Sequence, residues 1–519
     1  MKLITYAYLL SVASAAVIPS KKDLNRGKVL KLPFRKTHND SSSVVTSDGR
    51  VLVKRESSRE FAITNQKTFY SVDLDIGTPA QSVTVLLDTG SSDLWVTGYN
   101  NPYCISGNKE SNPINSTIKR SGTIDCDKYG TFNSGLSSSF HRNDTSFSIT
   151  YGDQSFAKGT WGQDVLSLDG VDISGVSFAV ADNTDSNVGV LGIGFEDLET
   201  TTGASGYVED PHTYPNLPVV LKTSGAIDTV AYSLYLDDAA AMEGSILFGG
   251  VDQSKYTGTL YTVPIVNIYE GHTKPIALDI TLQGVGISSS NSKKTITTSS
   301  IPILLDSGTT LTYFPSEYVK LVADAIGATY IASGLYGMTC PSAEDDRELV
   351  FDLGGFHITA PLSSFLITSN DDSSICFLGM VVQDSLPAIM GDLFLTHAYV
   401  VYDLDNYEVS LAQASYTGAE EDIQAILSDV PNAVKAPGYS NTWNGNQQYN
   451  AGGNIFTLAD ESMGSTATVS GHVTTSSLTT TTQPTVARSS LSSAASQAAA
   501  KCNSADFFDN ILCLLDSIL

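Results

Sequence analysis

The chain is poor in charge, and in positive charge above all. Only 16% of its 519 residues are charged, and 29 basic residues face 55 acidic ones, a formal net charge of −26. Such a surface repels phosphates instead of releasing their counterions, which excludes nucleic acid as a partner class. Six cysteines and seven scattered histidines show no metal-ligand spacing, so no metal is expected. Val188-Gly-Val-Leu-Gly-Ile-Gly194 is punctuated by glycine but lacks the G-x-G-x-x-G spacing of a dinucleotide site, and no cofactor is expected. No G-x-S-x-G elbow surrounds Ser91 or Ser307, which argues against a serine hydrolase. Long apolar runs are missing near the C-terminus: residues 507–519 are interrupted by Asp509 and Asp516. They are too short for a membrane span and a poor match to a GPI signal, so membrane anchoring is not expected.

What is present points to strands. The length allows two or more domains, and 24 Tyr, 19 Phe and 42 Gly favour a β-rich globular protein. Val85-Leu-Leu-Asp-Thr-Gly-Ser-Ser-Asp-Leu-Trp-Val96 sets one acid, Asp88, at the end of an apolar strand. A second copy, Ile303-Leu-Leu-Asp-Ser-Gly-Thr-Thr-Leu311, places Asp306 in the same context 218 residues later. Each copy is followed by an apolar pair and a glycine, Val190-Leu191-Gly192 and Ile389-Met390-Gly391. Two units this large point to gene duplication and two lobes, each delivering one acid, and not to a short-period solenoid.

The ends of the chain differ from its body. Lys2, the apolar Leu3–Val12 and the small residues Ala13-Ser14-Ala15-Ala16 read as a secretory signal over 1–16. Residues 17–55 form a basic leader ending at Lys54-Arg55, where a secretory-pathway convertase would cut; residues 1–55 hold 11 Lys/Arg against 3 Asp/Glu. Such a leader can lie across an acidic cleft until low pH protonates the carboxylates and weakens its ion pairs. In an oxidising compartment the cysteines are expected to pair. Six allow 15 connectivities, of which proximity favours Cys104–Cys126, Cys340–Cys376 and Cys502–Cys513. Residues 99–146 read as a polar surface insertion with sequons at Asn115 and Asn143, and Lys119-Arg120 inside it leaves a second cut open. Residues 417–519 read as a Ser/Thr-rich low-complexity tail with a short apolar end.

Between these ends, Phe147-Ser-Ile-Thr-Tyr-Gly-Asp-Gln-Ser-Phe156 has the alternation of a hairpin with its tip at Tyr151-Gly152-Asp153, and Pro315–Ile326 has helical spacing. With the two acid motifs in register, the sequence resembles the pepsin-like aspartic proteases from about Phe69 to Ala414. The likeness is strongest to the secreted yeast branch of candidapepsins, yapsins and barrierpepsin, carried by Ala231-Tyr-Ser-Leu-Tyr-Leu236, Ile246-Leu-Phe-Gly-Gly-Val-Asp252 and Ala398-Tyr-Val-Val-Tyr-Asp-Leu-Asp405. The resemblance implies an all-β, bilobal fold with a central cleft, an N-terminal lobe over 56–255 and a C-terminal lobe over 256–416.

It also implies a secreted aspartic endopeptidase, made as a zymogen and acting as a monomer on peptides or proteins. Asp88 and Asp306 would share a proton and activate water, as aspartic proteases generally illustrate. Gly90 and Gly308 would let backbone N–H groups approach the acids; Ser91 and Thr309 would hydrogen-bond the outer carboxylate oxygens, and Thr89 and Ser307 would brace the loops. Tyr151 matches a flap tyrosine, with Gly152 and Asp153 at the tip and Trp95 as its support. The competing class is a binding protein that keeps this fold without catalysis, and intact acids, glycines and flap tyrosine speak against it. Asp153 and the acidic body raise a preference for Lys or Arg beside the cut, as in yapsins. The barrierpepsin likeness raises cleavage of a peptide pheromone instead.

Overall fold

The computed structural model describes residues 28–38, 43–45, 51–53, 68–105, 124–151, 155–168, 170–203, 208, 210–237, 243–332, 334–368, 373–445 and 448–457. Its architecture is mostly β and bilobal, and the two acid-bearing strands are built alike. Strand Gln81–Asp88 pairs antiparallel with Thr68–Ile76, and Gly77, at φ +92°, makes the turn between them. On its other side it runs parallel to Gly189–Gly192, placing Gly192 opposite Asp88, and that strand pairs antiparallel with Leu94–Thr97. In the second lobe Ile301–Leu305 pairs antiparallel with Asp279–Leu282 and parallel with Ala388–Met390, which pairs antiparallel with Thr312–Phe314. The apolar-apolar-glycine elements are therefore the strands that lock each acid loop. Their runs of Val, Ile and Leu fit strands buried on both faces.

A shared platform underlies the lobes. Strands Ala231–Tyr235 and Glu243–Phe248, expected in the first lobe, join Ala398–Asp403, Glu408–Ala414 and Tyr256–Pro264 of the second within one 14-stranded sheet. The helix Ser316–Ile326 forms as its spacing predicts and buries Tyr318, Val322 and Ile326. Both nearby cysteine pairs are bridged, Cys104–Cys126 and Cys340–Cys376; Cys502 and Cys513 lie outside the described residues. Asn143 is exposed on the strand His141–Thr150, and Asn115 lies outside the described residues.

Two expectations need correction. The basic leader, read from its polarity as lacking a core segment, contains a strand, Leu30–His38, that is part of the platform. Its residues 30–35 pair with Glu243–Phe248, and 35–38 pair with the start of Thr68–Ile76. Leu30, Leu32 and Phe34 alternate inward and are buried, while Lys31 pairs with Glu421 and Arg35 with Asp73. Overall polarity hid a five-residue period of two. The segment from 417 also departs from a tail, because it is ordered to 457 and straps the second lobe. Ile423–Ala425 pairs with Gly250–Asp252, Val434–Lys435 pairs with Tyr256–Pro264, and Ile426, Ala436 and Ile455 are buried. A few apolar anchors spaced among polar residues hold it, a pattern that mean composition averages away.

Candidate active site

The two acid loops meet between the lobes with mirrored hydrogen bonds. Asp88 accepts from the Gly90 N–H at 2.8 Å and from the Ser91 hydroxyl; Asp306 accepts from the Gly308 N–H at 2.8 Å and the Thr309 hydroxyl at 2.6 Å. Each aspartate is only 8% exposed. Burial pushes Asp306 well up from the usual carboxylate range, and the adjoining Asp88 carboxyl raises it further. The glycines have no substitute here. A Cβ on Gly90 would lie 2.7 Å from the Asp306 carboxyl, and one on Gly308 would lie 2.6 Å from Asp88 Oδ1. Each loop thus presses bare backbone against the other lobe's acid.

Hydroxyls crossing the lobe boundary fix that approach. Thr89 Oγ1 donates to the Leu305 carbonyl at 2.8 Å and accepts from the Ser307 N–H at 2.9 Å. Ser307 Oγ donates to the Leu87 carbonyl at 3.0 Å and accepts from the Thr89 N–H at 3.2 Å. Four buried bonds between two short loops make the separation of the acids a property of backbone geometry, not of flexible side chains. Behind them, Gly391 passes so close to Thr309 that a Cβ would stand 2.0 Å from its carbonyl oxygen.

The hairpin closes as expected, with Thr150 opposite Phe156, and Trp95 Nε1 donates to the Tyr151 hydroxyl at 2.6 Å. Gly152 and Asp153 lie outside the described residues. Thr89, Gly90, Ser91, Ser307, Gly308 and Thr309 are brought together around Asp88 and Asp306, and Trp95 meets Tyr151.

Two further acids stand close by. Asp392 follows Gly391, is buried, and is pushed well above the usual carboxylate range by that burial; Lys36 of the leader strand faces it and offsets part of the effect, while Asp306 adds to it. Asp93 lies inside the first acid motif and accepts from the Tyr214 hydroxyl at 2.7 Å and the Thr200 N–H at 2.9 Å. The signal for both was an acid within an otherwise apolar or small-residue motif.

Paired carboxyls on braced glycine loops that meet between two β lobes define a hydrolase of the two-aspartate class. The eukaryotic aspartyl protease family model matches residues 69–414. Yapsin-3 of Saccharomyces cerevisiae is 47% identical, with 87% of this chain and 85% of the relative covered. Barrierpepsin of the same yeast is 41% identical over 68% of this chain and 62% of its own. The solved aspartic proteinase of Irpex lacteus superposes with a TM-score of 0.52 at 25% identity, over 68% of this chain and 96% of that one. The chain belongs to the eukaryotic aspartyl protease family, and it is an aspartic-type endopeptidase.

Proposed function

We propose that Asp88 and Asp306 are the catalytic pair and that the chain is secreted as a zymogen, cut after Lys54-Arg55, to process secreted or cell-surface proteins. The single observation that carries the catalytic assignment is the mirrored cradle in which each acid takes one glycine N–H and one hydroxyl while facing the other lobe's glycine. One proton shared by the pair leaves one carboxylate to deprotonate a water between them and one carboxylic acid to hydrogen-bond the scissile carbonyl. Attack gives a tetrahedral diol; protonation of the amide nitrogen breaks the C–N bond and restores the shared proton. Tyr151, Gly152 and Asp153 close over the peptide, with Trp95 holding the tyrosine.

Processing beside Lys or Arg is the substrate reading favoured here over pheromone cleavage, because the likeness to yapsin-3 is both higher and longer than that to barrierpepsin. The N-terminal segment read as a secretory signal supports an extracellular, periplasmic or cell-wall location, as does 33% identity to a Candida albicans relative named secreted aspartic protease 9. No helix among the described residues is long and apolar enough to cross a membrane. Cleavage of a diverse peptide library across acid to neutral pH tests both parts. Pepstatin-sensitive hydrolysis that an Asp88→Asn change abolishes is expected. Indifference to basic residues on both sides of the bond would overturn the substrate reading alone.

A further inference from the structure

Away from the catalytic pair, two more carboxyls converge on a single tyrosine. Tyr214 donates its hydroxyl to Asp93 Oδ1 at 2.7 Å and its backbone N–H to Glu199 Oε2 at 2.9 Å. Asp93 belongs to the strand-loop that carries Asp88, and Glu199 to the turn that follows the glycine strand Gly189–Gly192. Glu199 is 0% exposed, and its Oε1 has no hydrogen-bond partner. The titratable groups facing it are Asp93, Glu196 and Tyr214, with the Thr201 hydroxyl 3.5 Å away; none is a cation. A carboxylate in that place would be desolvated, accept one good hydrogen bond and face further acids.

Tyr214 is in turn the far end of a line of rings that reaches the flap. Its ring lies 4.9 Å from Trp161, Trp161 lies 5.3 Å from Phe147, and Phe147 lies 6.5 Å from Trp95, the residue that hydrogen-bonds Tyr151. Tyr214 and Tyr151 both sit on the rim of the one apolar cluster that these rings form. We propose that Glu199 is a positioning residue: as a neutral acid it clamps Tyr214 together with Asp93, and through the ring line it holds the flap tyrosine, so that the flap side of the cleft keeps its shape only while Glu199 retains its proton.

The physical cost runs in one direction. Burial raises Glu199 to about 9, with Asp93 and Glu196 adding to the effect. Its folded value lies above its unfolded one, so the unfolded chain gives up this proton at lower pH than the folded chain does. Stability from this site is therefore complete in acid and is lost progressively as pH rises from the ordinary glutamate range toward about 9. The site thus favours the fold most in acid and less as pH rises, independently of the catalytic proton.

The experiment compares wild type, Glu199→Gln and Asp93→Asn by thermal unfolding across pH, and by kcat and KM on an internally quenched peptide with Lys at the scissile bond. Gln keeps the shape and neutrality of the protonated acid. At about pH 4 the Gln variant is expected to match wild type within about twofold in kcat/KM; at about pH 7 it should unfold several degrees higher and keep on the order of tenfold more activity after incubation. Asp93→Asn removes the neighbouring carboxyl and should shift the same alkaline limb by a smaller amount. Parallel unfolding curves for wild type and Glu199→Gln across the whole range overturn the proposal. A Gln variant already crippled at pH 4 overturns it too, because a neutral isostere then fails to do the work of the acid. The proposal rests on the proposed flap role of Tyr151 only for its activity readout; the unfolding readout stands apart from it.

Discussion

Gly90 and Gly308 show how narrow the chemistry of this site is at the scale of one atom. Each passes where a methyl group would overlap the opposite acid, so Gly90→Ala is expected to abolish peptide hydrolysis while the lobes still fold, as judged by activity beside circular dichroism. The cross-braces should respond in a graded way. Thr89→Ala strands the Ser307 N–H and frees the Leu305 carbonyl, each loss costing about 1–3 kcal/mol of local stability, and Thr89→Ser should restore most of it in a melting curve. Trp95→Phe removes the indole N–H that donates to the Tyr151 hydroxyl and should lower kcat/KM about tenfold at unchanged fold, a cost of about 1.4 kcal/mol. Asp88, Asp306 and their flanking glycines and hydroxyls were legible in the sequence because the motif occurs twice, and the repeat removes the ambiguity of a lone Asp-Thr-Gly turn. Glu199 and Tyr214 were not legible. Fifteen residues separate them, their partner Asp93 is over a hundred residues earlier than either, and a buried neutral acid looks like any surface glutamate until the fold surrounds it.

Among the elements, the hairpins and the acid strands follow their alternation, whereas the two terminal segments do not announce themselves. The strap from 417 to 457 supplies hydrogen bonds as well as apolar anchors: the Ile426 N–H to the Gly249 carbonyl at 2.8 Å, the Trp443 N–H to Thr281 Oγ1 at 2.9 Å, and the Asn450 N–H to Ser299 Oγ at 2.8 Å. Ile455 sits against Gly284 and Gly286, where larger residues would collide with it. Truncation after residue 416 is therefore expected to expose the core around Val251 and the face of Gly284 and Gly286, and to lower the melting temperature sharply. Exposed apolar area per buried aliphatic residue is worth about 1.5–3 kcal/mol, so loss of Ile426 and Ile455 alone is a large fraction of a domain's stability. Sequence composition missed this because a strap needs one anchor every ten residues or so, far sparser than any helix or strand period.

For the molecule as a whole, acidity is built into the interior as well as the surface. Burial raises Asp279 to about 7 and Asp403 to about 6, alongside Glu199, Asp306 and Asp392. All shift in the same direction, so the folded chain binds more protons than the unfolded one between the ordinary carboxylate range and these raised values, and stability falls as pH rises through that window. Scanning calorimetry should find the highest melting temperature near pH 4–5 and a steady decline toward pH 8, the reverse of a protein whose acids are held by salt bridges.

The strand Leu30–His38 imposes an order of events. It joins Glu243–Phe248 to Thr68–Ile76 from the inside of the sheet, so a chain that lacked it would present two open strand edges at the heart of the molecule. The proposed cut at Lys54-Arg55, made after folding, would leave this strand held by its pairings on both sides, whereas the same cut on the nascent chain would separate it before the sheet is built on it. A chain begun at Glu56 should accordingly aggregate on refolding, while one cut after folding stays soluble. A cut at the proposed site is thus tolerated or ruinous according to whether it falls after this strand has paired or before.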